Sequence, residues 1–277
     1  MKIKFLGTAA AEAVPAISCS CDVCNYSRKV GGRNIRSRSQ ALVNDDLLVD
    51  FNADTLWHVT ANNVDLCKIN DCLITHSHND HLYVEDILNY RPDFCHGRNV
   101  PMTFYAGKAG YDKIKAAADK DFMRGAVRAV CVQANETFTV CNGKYTVTAL
   151  AADHDPNASP LIYSVTDGTK RMLYAHDTGY FLDSAWQTLA TLGHHDLVTL
   201  DCTGCLELGG DLVTNHMSFG TTLKVAQRMK QIGAADDNTV FVVNHFSHNG
   251  GQSYDQMVEA CTPHGILVSY DGMEVEF

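Results

Sequence analysis

Short apolar runs bounded by polar turns recur along the chain, and their length and enrichment in Val, Ile, Leu, Phe and Tyr mark them as strands. Such runs occupy residues 2–6, 41–43, 47–51, 102–105, 127–133, 137–140, 145–150, 161–165, 171–175, 196–201, 239–243, 266–269 and 273–277. Asn44-Asp45-Asp46 and Asp167-Gly168 interrupt neighbouring runs as hairpin turns do. Helical spacing marks 82–90, 108–120 and 180–191, and a helix opening at His216 repeats Phe219, Leu223, Ala226 and Met229, with Gly233 as its C-cap. Asp54 stands where it would cap a helix carrying Leu56 and Val59. No repeat, low-complexity tract or linker interrupts this pattern, so residues 1–277 are expected to form a single domain.

Composition narrows the class. A chain of 277 residues that is 45% hydrophobic can bury a sizeable core. No stretch is long and apolar enough to span a bilayer, and the opening Met1-Lys-Ile-Lys-Phe5 reads as a strand instead of a signal peptide, so no membrane partner is expected. The net charge of −10 argues against a broad nucleic-acid-binding surface. Eleven cysteines, an odd number, point to thiols and metal ligands in a reducing cytoplasm. The basic stretch 28–40, with Arg28, Lys29, Arg33, Arg36 and Arg38, reads as a solvated surface loop.

The chemistry concentrates in Leu73-Ile-Thr-His-Ser-His-Asn-Asp-His81, where a strand-like run gives way to His76, His78, Asp80 and His81. Imidazole and carboxylate suit zinc, manganese or iron, and on a loop after a buried strand these four side chains can fan out as two pairs. His154, Asp177 and His245 each follow a strand-like run as well, so their loops would share one rim of a sheet sandwich. Seven such ligands fit two ions: His76, His78 and His154 on one, Asp80, His81 and His245 on the other, with Asp177 bridging. A second constellation, Cys19-Ser-Cys21-Asp-Val-Cys24, can place three thiolates on one zinc but needs a fourth ligand from elsewhere.

His-x-His-x-Asp-His followed by a distant His, Asp and His resembles the signature of the metallo-β-lactamase-fold hydrolases. That resemblance covers nearly the whole chain and implies an α/β fold, an αββα sandwich of two mixed sheets flanked by helices, with a dinuclear site at one edge. Within the superfamily the chain is most similar to the PhnP-type phosphodiesterases of the carbon–phosphorus lyase pathway, on the strength of Cys-x-Cys-x-x-Cys, Asn215-His216 and the ending Tyr270-Asp-Gly-Met-Glu-Val275. The resemblance implies that His248 completes a structural zinc with Cys19, Cys21 and Cys24. It implies two catalytic divalent metals (manganese, zinc or iron), a homodimer, and a small phosphodiester as substrate, a cyclic ribose phosphate among the candidates. A hydroxide generated between the metals would attack phosphorus, Asp177 would set their spacing and could hold the nucleophile, and His216 would act as general acid or electrostatic stabiliser at the leaving oxygen.

Competing readings come from the same superfamily. PqqB, a cofactor-biosynthesis protein with a similar cysteine zinc, would make the chain a carrier of a quinone intermediate, and a glyoxalase-type thioesterase would share the seven ligands. The acidic balance and the lack of an RNA-binding arm speak against the transfer-RNA-processing nucleases, and His81 against simple β-lactamases. Segments 85–100 and 108–128, which could shape the pocket, match nothing in the family pattern. From their position at strand ends, Asp50 or Asp201 is expected to orient ligand imidazoles. Cys202 and Cys205 carry no metal or redox role in this reading; Cys67, Cys72, Cys95, Cys131, Cys141 and Cys261 read as buried small hydrophobes, and His194-His195 as a surface turn.

Overall fold

The computed structural model describes residues 1–206 and 214–277. Strands β1 (Lys2–Gly7), β2 (Gln40–Val43), β3 (Leu47–Val49), β4 (Asp71–Ile74), β5 (Met102–Ala106) and β6 (Val127–Cys131) lie side by side in chain order in a first sheet. The second sheet holds β7 (Thr137–Val140), β8 (Tyr145–Ala151), β9 (Leu161–Thr166), β10 (Arg171–Ala175), β11 (Leu197–Asp201), β12 (Val240–Asn244) and β13 (Ile266–Val268), again in chain order. The last strand, β14 (Glu274–Glu276), returns to the first sheet beside β1. Both sheets are mixed. In the first, β1, β2 and β3 pair antiparallel and β3 to β6 parallel; in the second, β7 to β10 pair antiparallel and β10 to β13 parallel.

Alternation along the strands assigns the layers. Ile3, Phe5, Leu47, Val49 and Leu73 of the first sheet meet Tyr145, Val147, Tyr163, Tyr174 and Val242 of the second in the central core. Their neighbours Leu48, Cys72, Ile74 and Phe104 point outward, where Ile114 and Ala117 of helix Lys108–Ala118 cover them. On the other side Ile162, Leu173, Val198 and Val243 pack under Trp186, Val225 and Met257, from helices Asp183–Leu192, Phe219–Gln231 and Tyr254–Cys261. The result is the expected αββα sandwich. No helix among the described residues is long and apolar enough to cross a membrane.

Local expectations shift where tertiary contacts outweigh propensity. The helix expected over 82–90 is only one turn of α-helix, Val84–Ile87, followed by a 3-10 turn, Leu88–Tyr90. The helix expected to open at His216 starts at Phe219, because His216 is held in the loop ahead of it. Asp54 does not cap the helix Thr55–Asn62; its carboxylate takes the backbone N–H of Arg38 (2.9 Å) and that residue's guanidinium (2.9 Å). Arg36 does not lie on the surface. It is buried, stacks over Phe246 at 4.1 Å, and donates to Thr8 Oγ1 (2.8 Å) and the Ser269 carbonyl (2.7 Å). Cys72 and Cys261 are buried as expected, but Cys67 is exposed and Cys95, Cys131 and Cys141 are half-buried.

His195 is the clearest departure from the expected surface turn. It is fully buried, its Nε2 pairing with Ser164 Oγ (3.0 Å) and its Nδ1 lying 3.2 Å from the Ala234 carbonyl. Burial lowers its pKa to about 4. The folded state therefore prefers neutral His195, so its contribution is complete above the unfolded pKa of about 6.5 and is lost as pH falls toward 4. Replacing His195 with Gln should make the protein less sensitive to acid: between pH 7 and 4.5, the loss of unfolding free energy in urea titrations should shrink by about 2 kcal/mol relative to the parent.

Candidate metal centre

Parallel pairing in both sheets brings the C-terminal ends of several strands to one rim, and the side chains there include all seven ligands expected from the sequence. His76, His78, Asp80 and His81 follow β4, His154 follows β8, Asp177 follows β10 and His245 follows β12. Asp50 follows β3 and Asp201 ends β11 at the same rim. Asp50, Asp177 and His245 adopt left-handed backbone conformations (φ 68°, 50° and 65°), which turn the chain sharply as each strand ends. Such conformations are uncommon for non-glycine residues and persist where the surrounding structure over-determines them.

The donor atoms fall into two groups joined by Asp177. In the first, His78 Nδ1 lies 2.9 Å from His76 Nε2 and 3.2 Å from His154 Nε2. In the second, Asp177 Oδ2 lies 2.5 Å from His81 Nε2 and 2.9 Å from His245 Nε2, with Asp80 Oδ2 3.2 Å from the same His81 nitrogen. Asp177 Oδ1 faces back toward the first group, 3.9 Å from His154 Nε2.

The outer nitrogens decide which tautomers are present. His154 Nδ1 meets the Asn215 carbonyl at 3.1 Å and His78 Nε2 meets the Asp155 carboxylate at 3.2 Å; both partners can only accept, so each of those nitrogens carries the proton. The nitrogens that converge, His154 Nε2 and His78 Nδ1, are then both lone pairs. His81 Nδ1 likewise donates to Asp50 Oδ2 at 2.7 Å, which turns its lone pair toward the carboxylates of Asp177 and Asp80. His81 Nε2, Asp177 Oδ2 and His245 Nε2 are all buried without a hydrogen-bond partner. Lone pairs and carboxylate oxygens packed this closely repel one another unless positive charge sits among them. The donor set fits divalent cations.

Charge perturbations follow from the same crowding. Burial acts to lower the His81 pKa, but Asp177, Asp50 and Asp80 hold it well above the histidine range, so a proton competes with a cation for its inward nitrogen. Burial acts to raise that of Asp177, but His245 and His81 hold it well below the carboxylate range. His76, buried and beside His81, is driven well below its ordinary value.

His216 stands at the edge of this group with 27% of its side chain exposed. Its Nδ1 is 3.2 Å from Asp201 Oδ2, 3.2 Å from Thr203 Oγ1 and 3.4 Å from Asp177 Oδ1, and its ring stacks on His245 at 5.8 Å between centroids. Burial would lower its pKa, but Asp201 and Asp177 outweigh it and raise the value to about 9.

Cys19, Cys21, Cys24 and His248 form a separate cluster, with donor atoms within 4.8 Å of one another. His248 Nδ1 faces Cys21 Sγ (3.5 Å) and Cys19 Sγ (3.6 Å), while its Nε2 lies 3.8 Å from Glu12 Oε1. Burial acts to raise the Cys21 pKa, yet the Cys24 backbone N–H and His248 bring it down to about 6; burial pushes Cys24 up to about 11. One thiolate among thiols already poised for metal is a suitable start for a tetrahedral zinc.

Asp50, expected as an orienting residue, holds the ligand His81 directly, whereas Asp201 lies 3.6 Å from His245 Nδ1 and reaches that ring through Thr203 Oγ1. Asp201 is a hub that accepts from the backbone N–H groups of Asp177 (3.1 Å), Thr203 (3.0 Å) and Met217 (2.9 Å). Sequence reading missed Thr75, whose Oγ1 touches Asp50 (2.9 Å), His76 (3.1 Å) and His81 (3.3 Å), and Thr203, whose Oγ1 meets His245 Nδ1 at 2.8 Å. It also missed Asp155 and Glu12. The adjacency of Thr75 to His76 and of Asp155 to His154 was the available signal, and it is no stronger than that of any polar neighbour. Cys202 and Cys205 are buried and stand outside the metal-ligating groups, and burial raises both thiols.

Residues 46–246 match a family described as a beta-lactamase superfamily domain. Among solved structures, a diphosphatase from the PhnP family is 19% identical, with a TM-score of 0.73 over 100% of this chain and 98% of that one. Zinc-bound PqqB from Methylobacterium extorquens is 20% identical, with a TM-score of 0.75 over 100% of both chains. The short form of human tRNase Z is 14% identical, with a TM-score of 0.64 over 100% of this chain and 99% of that one. No curated protein matches the sequence. At these identities the structural likeness speaks for the fold alone, whereas the family match spans well over half of the chain. With its two mixed sheets and His-x-His-x-Asp-His rim, the chain belongs to the beta-lactamase superfamily and has the metallo-β-lactamase hydrolase fold.

Proposed function

We propose that this hydrolase is a phosphodiesterase acting on a small, cyclic or linear, phosphodiester. The observation that carries the reading is the joining of two donor clusters through Asp177, with one further imidazole, His216, beside them: its Nδ1 lies 3.4 Å from Asp177 Oδ1, and with Asp177, Asp201 and His245 it forms a third group of possible donors. His76, His78 and His154 would hold one divalent cation, and Asp80, His81 and His245 a second, with Asp177 between. Bound there, such ions supply Lewis acidity and water acidic enough to attack phosphorus near neutral pH. Manganese, zinc and iron all suit this nitrogen and carboxylate set. Cys19, Cys21, Cys24 and His248 would hold a structural zinc. Both sheets supply ligands, which supports treating residues 1–277 as one functional domain.

The protein's own residues divide the remaining work. Asp177 fixes the spacing of the two clusters, since its two oxygens face different ones. Asp50, Thr75, Asp155, Thr203 and the Asn215 carbonyl lock the ligand imidazoles in the tautomers that aim lone pairs inward. Asp201 accepts a hydrogen bond from His216 Nδ1, which steadies the imidazolium and leaves Nε2 to carry a proton for the departing oxygen. A diester with an alkoxide leaving group needs that proton. A phosphoanhydride, the bond named for the PhnP-family diphosphatase, expels a phosphate that needs it much less.

Leaving-group dependence therefore tests the assignment of His216. With manganese added, H216A should slow turnover of a cyclic ribose phosphate by about 10²–10⁴-fold and of bis(p-nitrophenyl) phosphate far less, with metal content by elemental analysis unchanged. Equal losses on both, or loss of metal, would remove the general-acid role. No turnover by the parent with any metal, and zinc confined to the cysteine cluster, would turn the reading toward a carrier of the PqqB kind.

Two further substitutions separate the metal assignments. D50N should weaken the ion held by Asp80, His81 and His245 by about 10–100-fold, seen as a lower metal-to-protein ratio after dialysis against a mild chelator. C21S should remove one zinc and lower the melting temperature while sparing both rim ions; a variant that folds with full zinc would dismiss the structural site.

A further inference from the structure

The hydroxyl of Ser37 faces two groups that would each accept its single proton. Its Oγ lies 2.7 Å from His58 Nε2 and 2.5 Å from Asp271 Oδ2. Three segments distant in the chain meet there: the stretch ahead of β2, the helix Thr55–Asn62 and the turn before β14. Asp271 also accepts from the Ser37 backbone N–H (2.6 Å) and from Thr8 Oγ1 (2.6 Å). Ser37, His58 and Asp271 stand outside the metal-ligating groups.

The surroundings of His58 decide its tautomer. Gln40 Nε2 donates to the Asp50 carbonyl (2.9 Å), which can only accept, so Gln40 Oε1 is the atom that faces His58 Nδ1 at 2.7 Å. His58 Nδ1 therefore carries a proton. In the neutral ring Nε2 is then a lone pair, as is Asp271 Oδ2 in the carboxylate, and Ser37 can donate to only one of them. Both contacts coexist when one further proton is present. Either His58 is an imidazolium donating to Ser37, which donates to Asp271, or Asp271 is a carboxylic acid donating to Ser37, which donates to His58. Burial lowers the His58 pKa to about 4 and raises that of Asp271, which favours the second form.

The charged groups nearby do not supply that proton. Asp54, one turn ahead of His58, is held by the Arg38 guanidinium at 2.9 Å. Arg36, whose charge acts on Asp271, spends its Nη1 on Thr8 Oγ1 (2.8 Å) and the Ser269 carbonyl (2.7 Å). On the adjoining strands β1 and β14, Lys4 and Glu274 pair with each other at 3.1 Å.

We propose that His58, Ser37 and Asp271 share one labile proton and form a pH-sensitive lock, closed while the proton is held and parted at Ser37 when it is lost. Gln40 ties the lock to the Asp50 carbonyl, and the Asp50 carboxylate holds His81 at 2.7 Å, so the lock stands behind a strand end that bears on the rim. Only the fold retains the proton above neutral pH. In the unfolded chain the carboxyl, with a pKa of about 3.9, and the imidazole, at about 6.5, have both given theirs up. The folded trio keeps it to higher pH, so its contribution to stability is complete just below about 6.5 and is lost as pH rises through the folded value.

Urea unfolding of the full chain at a series of pH values tests the lock. S37A removes the link between its two ends, and D271N removes the end that takes the proton, so neither variant can hold it. Groups elsewhere titrate alike in parent and variant and cancel in the ratio of their unfolding constants. That ratio, variant over parent, should fall at least about tenfold between pH 5.5 and 8.5, because each pH unit over which one proton is retained only by the folded parent is worth a factor of about ten. D271N carries the test where S37A does not fold. A ratio that stays constant over this range in either folded variant would mean an ordinary hydrogen bond with no proton held, and would overturn the proposal.

Discussion

The Asp177 carboxylate, buried between the inward nitrogens of His81 and His245, is the constraint from which the rest of the rim follows. Its Oδ2 lies within 2.9 Å of both His81 and His245, yet all three atoms lack a hydrogen bond. An arrangement of that kind is repulsive by itself and becomes favourable only around positive charge. The polar groups behind the ligands make sense in that light. Asp50, Thr75, Asp155, Thr203 and the Asn215 carbonyl bind the outward nitrogens, so that rotation or tautomer exchange cannot relieve the crowding inside. The ligands are preorganised by their backs.

Topology supplies the platform. Parallel pairing of β3 with β4, of β10 with β11 and of β11 with β12 ends these strands at the same rim, as crevice sites in α/β sheets require. The left-handed turns at Asp50, Asp177 and His245 then swing successive side chains out of the sheet planes. The cysteine cluster extends the same logic to the chain's beginning. Phe246, between His245 and Ser247, exchanges backbone hydrogen bonds with Thr8 (2.9 Å) and Ala10 (3.0 Å), and Ser247 Oγ donates to Glu12. A metal on Cys19, Cys21, Cys24 and His248 would therefore pin the loop that also carries His245.

Much of this was legible in the residues because the chemistry sits where periodicity changes. An apolar run that stops at His76, or at Asp177, announces a strand end with an unusual side chain on it, and family resemblance joined these separate ends into one site. What was not legible lay in long-range contacts. Arg36 reads as one more arginine in a basic loop, but stacking on Phe246 and two hydrogen bonds hold it inside. His195 sits in a polar dipeptide, and only the approach of Ser164 from another strand makes its burial tolerable. Thr75 and Thr203 look like any threonine until three partners converge on each hydroxyl. Local pattern cannot report a partner tens of residues away.

The junction of Asp50 and Phe51 shows how one strand end serves two environments. Successive residues project to opposite sides, so Asp50 turns toward His81 while Phe51 enters the outer layer and lines a cavity there beside Val59 and Leu66. The backbone couples them: Phe51 N–H donates to the His81 carbonyl at 2.8 Å, and Tyr83 N–H donates to the Phe51 carbonyl at 2.8 Å. The loop that carries the rim ligands is thereby laced to the segment whose ring forms the cavity wall. Any displacement of Phe51 has to move either those two hydrogen bonds or the 2.7 Å contact between Asp50 and His81. Close packing on one face of the sheet is in this way a condition for ligand geometry on the other.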